Sequence, residues 1–525
     1  MKKLYITTPI YYVNANPHIG HAYTQVIVDI LARFYRSIGT DVFFLTGTDE
    51  HGEKIEEAAL AAGFKRGEEK KFVDGIVNNF KKVWEVLNIE YDGFIRTTND
   101  EHKEVVQDFL NRMKAKGDIY IGEYDGWFCT PCETFWTDTQ AEDGICPDCK
   151  RPVERIKEKN YFFKMSKYQT WLIDHINSNP EFIMPEFRKN EVLGFLKENL
   201  NDLCISRPKT RSPWGVELPF DKDYVVYVWF DALINYISGI KEHMDKFWPA
   251  DLHVIAKDIL RHHAVYWPIM LKSAGYEMPN TIFAHGWWKM GGEKMSKSKG
   301  NIADPTELAE KYGVDPVRYF LIKAVTLGLD GTFSEDSLVT IYNNDLANDL
   351  GNLLNRTLTM VEKYFGGVTP EILQDPGCDE QKKRSEFLKD EVGDLLEVVY
   401  RNMTGKKLQL KQVLDAIMGA INKANKYIEE SAPWKYSKEN NMKAVKLIIA
   451  DLLDILRDVT IAINPFMPAT AAKMKEQLGL KEEDINFGSD LDGNMYRGKA
   501  RSSDWRRFPG GTKVKKGEPL FPRIN

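Results

Sequence analysis

Hydrophobic and polar positions change their period several times along this chain. Residues 4–7 form a short apolar, β-rich run. Val26, Ile27, Ile30, Leu31 and Phe34 then recur at helical spacing, and residues 42–46 form a second β-rich run. Strand, helix, strand in that order is the pattern of a parallel α/β sheet. From about Lys114 to Arg211 the texture changes to paired cysteines among scattered aromatics, Tyr120, Trp127, Phe128, Phe135, Trp136, Tyr161, Phe162 and Phe163. An insertion between two halves of a nucleotide-binding fold accounts for it, with residues 224–228 and 253–255 resuming the sheet. Beyond Asp315 the pattern turns helical. Val413, Leu414, Ile417, Ile421, Ala424 and Ile428 mark one apolar face, and Val445, Ile448, Ile449, Leu452, Leu453 and Leu456 another. Lys and Glu fill the remaining faces, as in a helix bundle. Asn464-Pro465-Phe466-Met467-Pro468 interrupts that periodicity.

Composition narrows the class. At 525 residues the chain has room for two to four domains, and its apolar and charged fractions are ordinary for a globular protein. A net charge of −6 argues against a protein coated in nucleic acid but leaves room for one basic face. No apolar run approaches a membrane span, and the N-terminus reads as a first strand instead of a signal peptide. Cys204 and Cys378 stand alone, which fits a reducing cytosol better than a disulfide framework.

Two motifs carry candidate chemistry. His18-Ile19-Gly20-His21 opens the first helix just after the first strand. A glycine-containing strand-to-helix turn is where such sheets hold phosphate, because helix N-terminal amides are unpaired donors. Lys294-Met295-Ser296-Lys297-Ser298 puts two lysines and two hydroxyls within five residues, between Gly291-Gly292 and Gly300. It reads as a cationic loop suited to a polyphosphate leaving group. Cys129-x-x-Cys132 and Cys146-x-x-Cys149, 13 residues apart, present four thiolates. Such a set closes a tetrahedron around zinc with no open position, so the metal is expected to be structural.

The two phosphate motifs together resemble the signatures of class I aminoacyl-tRNA synthetases. The residues around them narrow the resemblance to the methionyl-tRNA synthetases: Thr7-Thr8-Pro9-Ile10-Tyr11-Tyr12-Val13-Asn14, Thr46-Gly47-Thr48-Asp49-Glu50-His51-Gly52, and Tyr227-Val228-Trp229-Phe230-Asp231-Ala232. The likeness runs from Leu4 to about Gly479, and more loosely to Arg523. Ala256 stands where the family usually has glycine ahead of Lys257-Asp258-Ile259.

The resemblance implies an α/β fold: a Rossmann-like parallel-sheet catalytic domain with a zinc-knuckle insertion, followed by an all-α anticodon-binding bundle. The expected boundaries are a catalytic first half at 1–113, the insertion at 114–211, the second half at 212–285, a linking region with the lysine loop at 286–345, the bundle at 346–485 and a tail at 486–525. The implied activity is methionine–tRNA ligation. Methionine and ATP give methionyl-adenylate and pyrophosphate. The methionyl group then passes to the 2′-hydroxyl of the terminal adenosine of tRNA(Met), including initiator tRNA. His18, His21, Lys294 and Lys297 are the implied catalytic residues. Gly20, Ser296, Ser298, Lys257 and Asp258 join them around ATP, which carries Mg2+. Ile10, Tyr12, Trp229, Ala232, Tyr236, Ile259 and His263 are the implied walls for methionine, with Asp49 pairing its ammonium group. From spacing alone, Trp229 and Tyr236 would read as core, and His51 is open between a structural and a site role. Many relatives continue into a small tRNA-binding, dimerising β-barrel; this chain is expected to lack it and to act as a cytoplasmic monomer.

Trp434 follows a helix ending near Glu430, in Ser431-Ala432-Pro433-Trp434. It is read as a stacking surface for an anticodon base, beside Asn348, Asn352 and Arg356 at i, i+4 and i+8. A tryptophan that only caps the bundle is the alternative. Residues 497–523 hold nine basic and two acidic residues. They are read as a tail packing its aromatics on the catalytic body in preference to an RNA-binding arm. Other readings weaken on the same residues. A branched-chain synthetase would carry a larger editing insertion, and a cysteine-specific one an open zinc site. A small dinucleotide-forming nucleotidyltransferase would not need the helical half, and a non-enzymatic RNA-binding zinc protein would not need both phosphate motifs.

Overall fold

A computed structural model describes residues 2–136, 138–141, 143–147, 149–291, 303–371, 378–405, 407–485, 487 and 507–524, with backbone alone at 293 and 294. The chain divides into two compact units. One comprises Lys2–Val28 and Asp41–Trp287, the other Asp29–Thr40 and Trp288–Asn525.

The first unit is built on a parallel sheet. Strands β1 (Lys3–Tyr12), β2 (Asp41–Asp49) and β3 (Gly93–Arg96) come first. Helices α1 (Ile19–Ser37), α2 (Glu53–Ala61), α3 (Glu69–Val86) and α4 (Asp100–Ala115) connect and flank them. The insertion adds an antiparallel ribbon of β4 (Ile119–Cys129), β5 (Thr134–Trp136) and β6 (Glu154–Phe163), then β7 (Ile183–Met184) and β8 (Leu203–Cys204). A small sheet follows, β9 (Ser206–Pro208), β10 (Glu217–Leu218) and β11 (Asp221–Val226), before β12 (Leu252–Ala256) and β13 (Ile282–His285). The parallel sheet has the order β3-β2-β1-β12-β13-β7. Strand order reverses at β1, so the turn into α1 lies at the topological switch point, where such sheets bind ligands outside their carboxyl ends.

The hydrophobic pattern located these elements but set some ends short. The run at residues 4–7 is the start of a ten-residue strand, and the helix seen at 26–34 extends from Ile19 to Ser37. One expectation is corrected. Residues 224–228 do not resume the parallel sheet: Tyr224, Val225 and Val226 pair antiparallel with Pro208, Arg207 and Ser206, and Val228 begins the helix Val228–Leu233. The reason is visible in Asp221-Lys222-Asp223, which leaves one end of this strand polar. A strand buried between two helical layers reads as mostly apolar, as Val254, Ile255 and Ala256 do. The insertion also lends the parallel sheet its edge strand, since Ile183 and Met184 pair with Ile282 and Phe283.

The second unit is mostly helical. Its long members are Leu410–Ser431 and Met442–Ile463, whose apolar faces are buried as their periodicity predicts. The break at 464–468 ends the second of these at Ile463 and starts the next helix at Pro468. Carbonyls freed there are taken by Arg318, a fully buried side chain that donates to Pro465 O and Phe466 O at 3.0 Å each and pairs with Asp29 at 2.6 Å. Buried charge is tolerated because its donors are met.

The tail is a second correction. Where packing on a catalytic body is expected from the sequence, its described part lies within this helical unit. Phe508, Val514 and Phe521 are buried, the amides of Arg507 and Phe508 donate to Asp454, and the Tyr342 hydroxyl donates to Pro522 O. Trp505 lies outside the described residues. Among the described residues, no helix is long and apolar enough to cross a membrane.

Candidate active site and metal centre

The loop after β1 delivers two imidazoles to the first turn of α1. The backbone N–H of His18 donates to Nδ1 of His21 at 3.1 Å, and that of Gly20 to Nδ1 of His18 at 3.0 Å. The rings stack 3.9 Å apart. With each Nδ1 accepting, the proton of each neutral ring sits on Nε2, which makes both rings donors. Gly20 is required locally, because a Cβ there would lie 2.9 Å from Cε1 of His18. The crowding comes from the neighbouring imidazole, a constraint that spacing alone did not reveal.

Residues scattered through the sequence converge beside this loop. Tyr12 and Asp49 are register partners at the ends of β1 and β2, and Ile10 pairs with Gly47. Trp229, on the helix Val228–Leu233, meets Tyr12 edge-on at 6.1 Å and stacks on His262 at 3.8 Å. Buried Ala232 lies on the same helix. Nδ1–H of His263 donates to Ile259 O at 2.9 Å, so Nε2 accepts from the Tyr236 hydroxyl at 2.7 Å. Burial pushes His263 down to about 4, which keeps it neutral and preserves that arrangement. Asp49 is buried, and its Oδ1 has no partner among the described residues, nor does the Tyr12 hydroxyl. Burial and the neighbouring carboxylate of Asp231 raise Asp49 well above the usual carboxylate range. A buried acceptor without a partner is costly unless a ligand supplies the donor. A cationic amine set against Tyr12 and Trp229 meets that need.

Two contributing residues, His102 and Arg96, had no local signal. Asp231 holds His51 through Oδ2 at 2.7 Å and His102 through Oδ1 at 2.9 Å, and His102 meets Ser238 at 2.7 Å. Burial alone would raise Asp231, yet the two imidazoles hold it at about 2. This gives His51 a place in a buried network next to Asp49. Glu50, also buried, accepts from Thr48, Thr98 and Arg96. His102 and Arg96 lie far from these partners in sequence, so only the fold identifies them.

Lys257 and Asp258 follow β12. The ammonium of Lys257 stands 4.2 Å over the ring of Trp287, whose indole N–H donates to Asp258 at 3.1 Å. Ala256 has φ −80° and ψ 151°, extended backbone that any residue adopts, so the departure from glycine carries no strain. The Lys294 backbone is in a short strand, Glu293–Lys294. Its side chain, together with Ser296, Lys297 and Ser298, lies outside the described residues.

The four cysteine sulfurs lie within 4.8 Å of one another. Cys129 and Cys149 are 3.5 Å apart, and Cys132 and Cys146 are 3.9 Å apart. A tetrahedral ion with Zn–S near ~2.3 Å separates its ligands by about 3.8 Å, so the cluster fits the zinc expected from the spacing. Cys132 closes a 3-10 turn, Thr130–Cys132, that carries Pro131, and Gly144 turns at φ +65°. The turn is tied to the helix that carries Trp229. The Trp229 indole donates to Cys132 O at 3.3 Å and the Tyr227 hydroxyl to Glu133 O at 2.5 Å. Glu133 takes a left-handed φ of 52° and accepts from the amide of Lys54 in the first turn of α2. Burial lifts its carboxyl to about 7.

In the helical unit, Trp434 is 36% exposed on the helix Pro433–Lys438. Pro433 disfavours a right-handed helical Ala432, whose φ of 43° ends the preceding helix. Arg356 pairs with Glu429 at 2.6 Å, in the last turn of that helix. Asn352 and Arg356 lie on the helix Asn352–Phe365, while Asn348 sits in the wider π-helical segment Tyr342–Gly351 before it; both asparagines are exposed.

Comparison with known proteins gives a consistent result. Residues 4–155 and 151–358 match the family "tRNA synthetases class I (M)", and residues 376–522 match "Anticodon binding domain of methionyl tRNA ligase". The chain is 47% identical over 533 residues to methionine--tRNA ligase of Clostridium tetani, covering 100% of this chain and 79% of that one. It is 43% identical over 533 residues to that of Thermotoga maritima, covering 100% and 80%. Mycobacterium tuberculosis methionyl-tRNA synthetase in complex with methionyl-adenylate superimposes with a TM-score of 0.90 at 40% identity, covering all of both chains.

Proposed function

Because the chain belongs to the methionyl-tRNA synthetase family, we propose that it activates methionine with ATP and charges tRNA(Met). The observation that carries the site assignment is Asp49: a buried carboxylate with an unsatisfied oxygen, register partner of Tyr12, whose ring meets Trp229. It takes the α-ammonium group, and the aromatic walls take the thioether, each ring–sulfur contact contributing about 0.3–1.5 kcal/mol.

The methionine carboxylate attacks the α-phosphorus of ATP, a new P–O bond forms, and pyrophosphate leaves with the electron pair of the bond that breaks. No covalent enzyme intermediate is needed, so positioning and charge stabilisation carry the rate. His18 and His21 donate through Nε2 to phosphate oxygens as charge develops. Lys294 and Lys297, with Ser296 and Ser298, hold the departing pyrophosphate, and Lys257 and Asp258 contact the nucleotide. Magnesium accompanies ATP. A hydroxyl of the terminal adenosine of tRNA then attacks the methionyl carbonyl, the bond to phosphate breaks and AMP leaves; the anticodon is read by Trp434, Asn348, Asn352 and Arg356 in the helical unit. Cys129, Cys132, Cys146 and Cys149 hold a structural zinc, which braces the insertion. The protein acts as a monomer, which sedimentation with and without tRNA tests.

The decisive experiment is exchange of labelled pyrophosphate into ATP across the twenty amino acids. Exchange is expected with methionine alone. Equal exchange with leucine or isoleucine would overturn the substrate assignment.

A further inference from the structure

The strand β13 ends at His285, 2% exposed, beside Ala256 in the parallel register. Nδ1–H of His285 donates to the carbonyl of Gly286 at 2.7 Å. Its Nε2 is therefore an acceptor and takes the hydroxyl proton of Thr24 at 2.8 Å. The ring of Tyr23 meets the imidazole edge-on at 5.0 Å. Thr24, also 2% exposed, is on α1, three residues beyond His21 and four beyond Gly20. At that spacing it lies on the same side of the helix as both. A buried hydroxyl bonded to a fixed ring sets the rotation and height of the helical turn that carries it.

We propose that His285 is a positioning residue for the phosphate-binding histidines, acting through its hydrogen bond to Thr24 to fix the first turn of α1. This rests on the proposed roles of His18 and His21. His285 does not touch the reacting atoms; it governs where His21 presents its donor. Misplacement of a reacting group by about 1 Å is enough to lower a rate ~10²-fold. The Gly286 bond has a second consequence, because it holds His285 in the tautomer that accepts from Thr24. The same carbonyl precedes Trp287, which packs on Lys257 and bonds Asp258, so one imidazole ties α1 to the strand end that supports the nucleotide contacts.

The test compares Thr24→Val, Thr24→Ser and His285→Gln in methionine-dependent pyrophosphate exchange. Thr24→Val keeps the shape and removes the hydroxyl. It is expected to lower kcat by about 10- to 100-fold with Michaelis constants for ATP and methionine essentially unchanged. Thr24→Ser retains the donor and is expected to stay near wild type. His285→Gln keeps an acceptor at the position of Nε2 and should retain most activity. The double variant Thr24→Val/His285→Gln should be no slower than Thr24→Val alone, since without the Thr24 hydroxyl the acceptor at 285 has no bond left to make. A Thr24→Val enzyme with wild-type kcat, a loss confined to the Michaelis constants, or equal damage in Thr24→Ser would each overturn the proposal. Should the wild-type protein exchange no pyrophosphate, the proposed function fails instead. Amide hydrogen exchange of residues 19–23 then decides the positioning role: faster exchange in Thr24→Val supports it, and unchanged protection overturns it.

Discussion

The cysteine knuckle and the proposed methionine pocket are built in opposite ways. The knuckle draws four ligands from a single stretch between Cys129 and Cys149, and two short turns bring their sulfurs within 4.8 Å. The pocket draws Tyr12 from β1, Asp49 from β2, Trp229 and Tyr236 from helices after β11, and His263 from beyond β12. Local turns suffice for the first, whereas the second exists only once the parallel sheet has aligned its strand ends. Yet the two are joined, because carbonyls of Cys132 and Glu133 receive the Trp229 indole and the Tyr227 hydroxyl. A site that is local in sequence thus braces one that is not.

The largest expected effect separates the two. Asp49→Asn removes the pocket's anionic partner for the ammonium group and should leave the knuckle intact. Loss of one partner of a buried charge pair is worth about 3–5 kcal/mol, so kcat/KM for methionine should fall on the order of 10²- to 10⁴-fold at unchanged zinc content. Steady-state exchange kinetics with metal analysis would refute the assignment if kcat/KM stayed within a factor of a few.

Acid should distinguish the two by the direction of proton movement. His263 stays neutral in the fold down to about pH 4, against an ordinary value near ~6.5. Above about pH 6.5 it is neutral in both states. Between about 6.5 and 4 the unfolded chain takes up a proton that the folded one does not, so stability declines as pH falls, by roughly 3 kcal/mol from this residue. In the knuckle, thiolates gain protons and release metal. Urea unfolding at pH 7 and pH 4.5 should show a shallower decline in His263→Gln than in wild type. Parallel declines would remove His263 from the explanation.

Cys146→Ser probes the join. It should release zinc and loosen the insertion while the parallel sheet remains. Through the Trp229 and Tyr227 contacts, it should also lower kcat/KM for methionine by about 10-fold, the scale of one or two lost hydrogen bonds. Full methionine kinetics in a zinc-free protein would show the sites to be independent, and full zinc loading would sink the ligand assignment.

Trp434→Ala provides the outside reference, since the residue belongs to the helical unit. Adenylate formation should be near wild type, and charging of tRNA with a CAU anticodon should fall by about 10-fold or more, the loss of one stacking contact. Equal losses in both assays would mean that Trp434 serves only to hold the bundle together.

What the sequence determined by itself is whatever depends on short separations. Cysteine spacing brings four sulfurs together, helical periodicity marks the faces that Leu410–Ser431 and Met442–Ile463 bury, and prolines end helices at Ile463 and Ser431. The His18–His21 turn was legible for the same reason, since its residues are neighbours in sequence. Tertiary structure decided the rest. Polar Asp221-Lys222-Asp223 and the pairing with Ser206–Pro208 took residues 224–226 out of the parallel sheet. The tail's aromatics found the helical unit because Asp454 and Tyr342 offered partners for its backbone. Asp231 found His51 and His102, and Thr24 found His285, across separations at which no periodicity survives. A hydrogen bond specifies its partner only at contact distance, and burial makes the unsatisfied alternative costly, so these pairings are settled when the strands pack.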